Sequence, residues 1–224
     1  MRTIDDLAAE WEAQRLASLR RDIYELHLRK KVHDEFMELL RRNGQDGSIF
    51  ADLFHKMYLD SQVMAIRRQT DDDTRTLSLY GLLGQLQEGT PQSTRAWYVN
   101  RWLTSVVPSD PEERELHTSM ANEAFDRFCD WPAARKLGKG RLQADRQELE
   151  GLTERVVKFV NTFVAHRSRT TGPVTLTYQD FEGAIAHLGE MLLRYFLLLN
   201  QGGLLSATPV IQGDPLAPFR RALT

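Results

Sequence analysis

One short segment of the sequence combines residue types that can carry out acid–base chemistry. An apolar helical pattern ends at His166, and two arginines, Arg167 and Arg169, follow within three residues. The dipole of a helix favours a charged histidine at its C-terminus, whereas neighbouring arginines oppose that charge. The imidazole of His166 can therefore titrate near neutral pH, as a general acid or base must. The simpler alternative is a histidine that only caps the last carbonyl groups of its helix.

The sequence contains none of the other common catalytic or ligand-binding motifs. Di-iron helical bundles use Glu-x-x-His pairs, and none occurs among the six scattered histidines. The Gly-x-x-x-x-Gly-Lys phosphate loop, the Gly-x-Gly-x-x-Gly turn and the Gly-x-Ser-x-Gly elbow are also absent. Because Cys129 is the single cysteine, it excludes a disulfide within the chain and is expected to be a small buried group. We therefore expect neither a metal ion nor another cofactor.

Hydrophobic residues recur at helical spacing along almost the whole sequence, which predicts an all-α fold. The clearest apolar stripe lies near the C-terminal end and contains Phe181, Ile185, Leu188, Leu192, Tyr195 and Leu199. Thr3-x-x-Asp6 and Thr177-x-x-Asp180 resemble capping boxes, which begin helices. The pattern predicts a helical bundle of at least five helices, with almost no strand.

Turn signals and charge patterns divide the chain into three parts. Residues 1–44 are predicted to form an N-terminal helical segment that packs on the core, and residues 45–203 to form the main bundle. Residues 204–224, with three prolines, are predicted to be an extended or disordered tail. The charged run at residues 29–31 predicts a break between two helices. Residues 136–141, with two glycines among basic residues, predict a mobile loop.

Composition and charge restrict the classes of function. The chain has 224 residues, of which 42% are hydrophobic and 27% are charged, the mixture typical of a globular protein. The net charge of −2 gives no overall positive field, so contact with nucleic acid would require a local patch. The first residues lack the apolar core of a signal peptide, and the longest apolar stretch is short and interrupted by Arg194. We therefore expect a cytoplasmic protein that does not enter the membrane.

Two stretches of the sequence resemble the HEPN superfamily of helical domains. The first is Val160-Asn161-x-x-x-Ala165-His166-Arg167, followed after a loop by Leu176-Thr177-Tyr178-Gln179-Asp180. It resembles the end of the third core helix and the start of the fourth in the branch associated with bacterial abortive-infection (phage-defence) systems. The second stretch, from Tyr58 to Leu86, is similar to the second and third helices of that branch. Together the matches cover residues 45–200 in order, as short pieces.

The resemblance implies a four-helix core with additional N-terminal and inserted helices, which commonly dimerises. Many members of the family are metal-independent RNases whose motif is Arg, four to six residues, then His. The resemblance places His166 on the family's histidine, Asn161 on its arginine and Thr162 on the polar residue that follows. Cleavage by the RNA's own 2′-hydroxyl needs a base, an acid and a cation that stabilises the developing phosphorane charge. The cation is absent from its expected place.

Other arginines are candidates for the missing charge. Arg167 and Arg169 follow His166 directly, and Arg68 lies in the predicted second helix. We expect these three arginines to bind RNA or phosphate. Arg155 is excluded because eleven helical residues separate it from His166, a distance of about 16 Å. A second acid–base group would come from the other subunit of a dimer.

The sequence therefore predicts a HEPN-like protein of a bacterial defence or toxin–antitoxin system, with metal-independent RNA cleavage centred on His166. We expect a homodimer that binds RNA or a nucleotide and has an antitoxin as partner. Trp97, Trp102 and Trp131 are apolar residues that the dimer could use. Two alternatives remain open. One is a catalytically inactive HEPN-like module that binds a nucleotide or a partner, and the other is a plain helical scaffold.

Overall fold

The computed structural model confirms the all-α bundle. It describes residues 3–73, 75–89, 92–164, 176–201, 206–208 and 210–222. Within these ranges the regular structure consists of nine α-helices and two π-helical turns, and the only β-type pairing is an isolated bridge between Thr94 and Lys136. None of the helices in these ranges has both the length and the apolar character needed to cross a membrane.

The helices follow one another with short connections in the first three quarters of the chain. Their bounds are α1 Ile4–Glu10, the first π turn Trp11–Arg15, α2 Leu16–Arg42, α3 Ile49–Gln69, α4 Leu79–Gly89, α5 Arg95–Val106, α6 Pro111–Asp126, α7 Lys139–Phe159, the second π turn Val160–Val164, α8 Tyr178–Asn200 and α9 Ala217–Ala222.

One hydrophobic core joins α1 to α8. Helix α2 packs against α3 and α8, α7 packs against α4 and α8, and α5 pairs with α6. The largest fully buried side chains of this core come from both halves of the chain and include Trp11, Ile66, Tyr98, Phe125, Phe128, Phe181 and Tyr195. Removal of this apolar surface from water is the main stabilising term of the fold. The core holds the ends of α3, α7 and α8 in fixed relative positions.

A buried carboxylate fastens α7 to α8. Asp145 accepts hydrogen bonds from the Arg194 guanidinium at 2.8 Å and from the Tyr195 hydroxyl, and Arg141 lies 3.0 Å away. Burial, together with the Asp145 charge, raises the pKa of Tyr195 well above its ordinary value. A buried charge is tolerated only when it is fully paired, and Asp145 meets that condition.

The helix starts that the sequence indicated are confirmed. Thr3 accepts a hydrogen bond from the backbone N–H of Asp6 at 3.1 Å, and Thr177 accepts one from the backbone N–H of Asp180, also at 3.1 Å. In both motifs the backbone N–H of the N-cap threonine donates a hydrogen bond to the aspartate carboxylate, which completes the capping box. These motifs were predictable because all of their partners lie within three residues.

The predicted helix break at residues 29–31 is wrong, since α2 continues without interruption to Arg42. Two of the three charges in this run have partners that leave the helix intact. Arg29 pairs with Glu25 one turn earlier, and Lys30 pairs with Asp34 one turn later. Lys30 also reaches Glu182 of α8 at 2.8 Å. The charged run therefore marks a helix-to-helix contact.

The predicted loop at residues 136–141 is wrong for its second half, because α7 begins at Lys139. The Asp130 carboxylate accepts a hydrogen bond from the backbone N–H of Arg141 at 2.6 Å and so satisfies the first turn of the helix. The glycines allow this contact. A Cβ atom at Gly138 would lie 2.5 Å from the Asp130 backbone nitrogen, and one at Gly140 would lie 2.9 Å from the carboxylate.

The C-terminal part differs from the extended or disordered tail expected for residues 204–224. Leu216 is buried beside Phe36 and Leu40 of α2, and α9 follows directly. The Phe219 ring of α9 lies 4.9 Å from the Phe36 ring. Apolar residues of this part therefore cover the end of α2. The predicted division at residue 44 falls in the turn between α2 and α3.

Candidate functional site

Two of the predicted site residues, Asn161 and Thr162, lie in the second π turn. A π-helical turn is rare in proteins and is frequently found at functional sites. Its i→i+5 hydrogen bonds shift the angular positions of the residues, so the faces expected for a regular α-helix do not apply beyond Val160. The Asn161 side chain is exposed, whereas Thr162 is buried. Only Asn161 of this pair is therefore available to a ligand in solution.

An arginine that the sequence analysis did not select lies against Asn161. The Nε–H of Arg67, near the end of α3, donates a hydrogen bond to Asn161 Oδ1 at 3.0 Å. Within the described ranges, Arg67 makes no other side-chain hydrogen bond and no ion pair. Its two terminal nitrogens therefore keep their donors for a ligand. The structure therefore places a guanidinium beside Asn161.

The neighbouring arginine, which the sequence analysis did select, has a different partner. Arg68 Nη1 lies 3.7 Å from Asp22 Oδ2 of α2. Successive residues of an α-helix point about 100° apart, so Arg67 and Arg68 cannot face the same partner equally well. The structure brings Arg67 to Asn161 and directs Arg68 towards α2. Arg155 forms an ion pair with Asp180 at 3.1 Å.

The remaining predicted site residues, His166, Arg167 and Arg169, lie outside the described residues. Their roles as acid–base group and phosphate ligands stay predictions. In the part of the chain that the structure does describe, no three His, Cys, Asp or Glu side chains are grouped in a way that could hold a metal ion.

A second polar cluster, between α2 and α3, was not found from the sequence. His33 is buried, with Nδ1 3.1 Å from Asp34 Oδ1 and Nε2 2.9 Å from His55 Nδ1. Its ring stacks on Tyr58, with 3.8 Å between ring centroids. Tyr178, at the start of α8, donates a hydrogen bond to Asp34. Because side chains 22 residues apart meet here, only the helix packing reveals the cluster.

The electrostatics of this cluster follow from burial and hydrogen bonding. Burial lowers the pKa of His33, and the hydrogen bond to Asp34 offsets that effect only in part. Burial raises the pKa of Asp34, but hydrogen bonds from Lys30, Tyr178 and His33 outweigh it and lower the pKa overall. His55 and Arg67 are twelve residues apart on α3, or about 18 Å. The cluster and the Arg67–Asn161 pair therefore cannot act on one phosphate.

Comparison of the chain with family models, with curated proteins and with solved structures finds no match. The resemblance to HEPN domains therefore rests on the short sequence matches given above. The structure adds the helical bundle and the contact between Arg67 of α3 and Asn161 of the second π turn.

Proposed function

We propose that the protein binds RNA and cleaves it without a metal ion, at a site formed by Arg67, Asn161 and His166. The proposal places the chain in a bacterial defence or toxin–antitoxin setting, as the HEPN resemblance implies. A catalytically inactive module of the same fold, which binds RNA or a nucleotide, is the alternative function. The plain helical scaffold is the second alternative.

The observation that carries the proposal is the 3.0 Å hydrogen bond between Arg67 and Asn161. The family motif requires a guanidinium near its histidine, and Asn161 cannot supply one. Arg67 contacts Asn161 from another helix, so a guanidinium lies beside the residue that the resemblance aligns with the motif arginine. A guanidinium with two free terminal nitrogens suits bidentate contact with a phosphate.

The proposed reaction uses groups of the protein and of the RNA. His166 removes the proton from a ribose 2′-hydroxyl, whose oxygen then attacks the adjacent phosphorus. The bond from phosphorus to the 5′-oxygen breaks, and that oxygen takes a proton from a second acid, contributed by the partner subunit of a homodimer. The products are a 2′,3′-cyclic phosphate and a 5′-hydroxyl. Arg67 stabilises the negative charge that develops on the phosphorane oxygens.

The test is cleavage of single-stranded RNA in the presence of EDTA. We expect cleavage by the natural protein and none by His166→Gln. Arg67→Gln should lower the rate by about 10²-fold, the usual effect of removing one donor to a developing oxyanion. Arg68→Gln is the matched control, because it removes the same charge from the adjacent residue, and it should stay within threefold of the natural rate.

The outcomes separate the three functions. A protein that binds RNA without cleaving it would favour the inactive module, and a protein that neither binds nor cleaves RNA would favour the scaffold. Cleavage that is lost equally in the Arg67 and Arg68 variants would remove the special role assigned to Arg67.

A further inference from the structure

A cavity lies between the first π turn, α4 and α7. It has a volume of about 640 Å³, within the usual range of small-molecule sites. Four cationic side chains line it, whereas its acidic residues are Asp72 and Glu88. The cationic residues are Arg15, Arg75, Lys139 and Arg146. The lining therefore has two more cationic than acidic side chains.

Arg146 is held in the cavity without an acidic partner. Its guanidinium carbon lies 4.0 Å from the centroid of the Tyr80 ring, a cation–π contact that fixes its orientation. Its Nη1 donates to the neutral side chain of Gln87 at 3.2 Å, and its Nε is buried without a hydrogen-bond partner. No carboxylate within the described ranges forms an ion pair with it. By contrast, Arg141 on the same helix pairs with Asp145.

Lys139 provides the second free charge. It is exposed at the start of α7 and has no ion-pair partner among the residues that the structure describes. Lys139 and Arg146 are seven residues, or two turns, apart, which places them about 10 Å from each other on one face of α7. The other two cations are already neutralised, Arg15 by Glu10 and Arg75 by Asp73.

A glycine keeps the space in front of Arg146 open. A Cβ atom built on Gly84 of α4 would lie 3.9 Å from Arg146 Nη1, so any longer side chain at this position would enter the cavity. Glycine inside a helix is less favourable than alanine by about 1 kcal/mol. Gly84 has this cost but leaves the space in front of the Arg146 guanidinium open.

We propose that this cavity binds a phosphate-bearing small molecule of nucleotide size, with its phosphate groups on Arg146 and Lys139. A phosphate ester has the multiple negative charges and the oxygen geometry that a guanidinium and an ammonium bind best. The cavity is larger than two phosphate groups require, so the rest of the molecule lies along the α4 wall. Fifteen residues of α7 and the second π turn separate Arg146 from Asn161, about 22 Å, so this is a different site from the proposed RNA-cleaving one.

The test uses pyrophosphate and ADP as probes of the natural protein, by isothermal titration calorimetry and thermal shift. We expect both probes to bind and to raise the Tm, and ADP to bind at least as tightly. Arg146→Gln and Lys139→Gln should each weaken binding at least tenfold. Lys158→Gln is the matched control, since it removes one charge from an exposed position of α7 that pairs with Glu154, and it should change the Kd less than twofold.

A third variant tests the cavity itself. Gly84→Met should abolish binding by filling the space, while its better helix propensity maintains the Tm. Because Lys139 is exposed and makes no packing contact of note, its variant remains informative even if Arg146→Gln unfolds. The proposal is overturned if neither probe binds at millimolar concentration, or if all variants bind alike. It is also overturned if only an RNA oligonucleotide binds in an Arg146-dependent manner. RNA cleavage by the Arg146 variant should be unchanged.

Discussion

At the scale of single residues, the central feature is a pair that the sequence could not reveal. Arg67 and Asn161 are 94 positions apart, and their contact depends on how α3 meets the end of α7. The sequence could predict that Asn161 departs from the family's motif and that two arginines end α3. It selected Arg68 and not Arg67, because the choice between residues 100° apart requires the direction of the neighbouring helix.

The buried histidines lead to a prediction about pH. Burial lowers the pKa of both His27 and His33, so the unfolded chain binds protons more readily than the folded protein. Stability should therefore decrease as the pH falls below about 6.5, the ordinary histidine value. Around His33 the facing charged groups are Asp34, Lys30 and His55, and Asp34 remains ionised in this range because its own pKa is lowered.

Urea denaturation at pH 7.5 and pH 5.5 measures this effect. We expect a lower free energy of unfolding at pH 5.5, because protons bind to these histidines more readily in the unfolded chain. His33→Gln should reduce the difference between the two pH values. Equal stability at both pH values would show that neither histidine is held neutral by burial.

At the scale of elements, local signals were sufficient where all the partners lay within one turn. Both capping boxes were predictable for this reason. The helix break at residues 29–31 and the second half of the loop at residues 136–141 were wrong because the contacts with Glu182 and Asp130 come from other parts of the chain. A run of charges or of glycines leaves the local secondary structure ambiguous. The tertiary partner of the run determines whether the helix continues, begins or ends there.

The role of Asp130 can be tested directly. Asp130→Ala removes the acceptor for the Arg141 backbone N–H and so leaves the first turn of α7 uncapped. We expect a loss of about 1 kcal/mol, within the 0.5–2 kcal/mol typical of caps, in urea denaturation. Glu123→Ala removes an exposed carboxylate from α6 and should change stability by less than about 0.5 kcal/mol. Equal effects of the two variants would exclude a capping role.

At the scale of the whole molecule, α3 has an apolar face that the described chain leaves uncovered. Phe50, Leu53, Met57 and Met64 are exposed along one side of it, Met57 by 63%. The tryptophans that the sequence suggested for a dimer are less suitable, since Trp97 and Trp102 pack against the core and only Trp131 is largely exposed. The dimer itself stays a prediction, and α3 is the surface that we assign to it.

The spacing of this face suits a second copy of the chain. Phe50, Met57 and Met64 are seven residues apart, so two antiparallel α3 helices centred on Met57 would place Phe50 of one copy opposite Met64 of the other. The face is therefore compatible with a symmetric pairing of two copies of the chain.

We expect a dimer by light scattering at tens of micromolar protein and a monomer for Met57→Glu. Leu116→Glu on α6 is the control, because it places the same charge at another exposed apolar residue, and it should remain dimeric. A natural protein that is monomeric at this concentration would contradict both the interface and a second acid contributed by the partner subunit.

The most direct test of the proposed function exchanges the two side chains of the Arg67–Asn161 pair. Arg67→Asn should lower RNA cleavage in EDTA by about 10²-fold, because the cation is lost from the site. Adding Asn161→Arg to that variant returns one guanidinium and one amide to the same contact, with the charge now in the family's position. We predict that the double variant recovers most of the natural rate. A double variant as inactive as Arg67→Asn, with an unchanged Tm, would contradict the claim that Arg67 is the cation of the site.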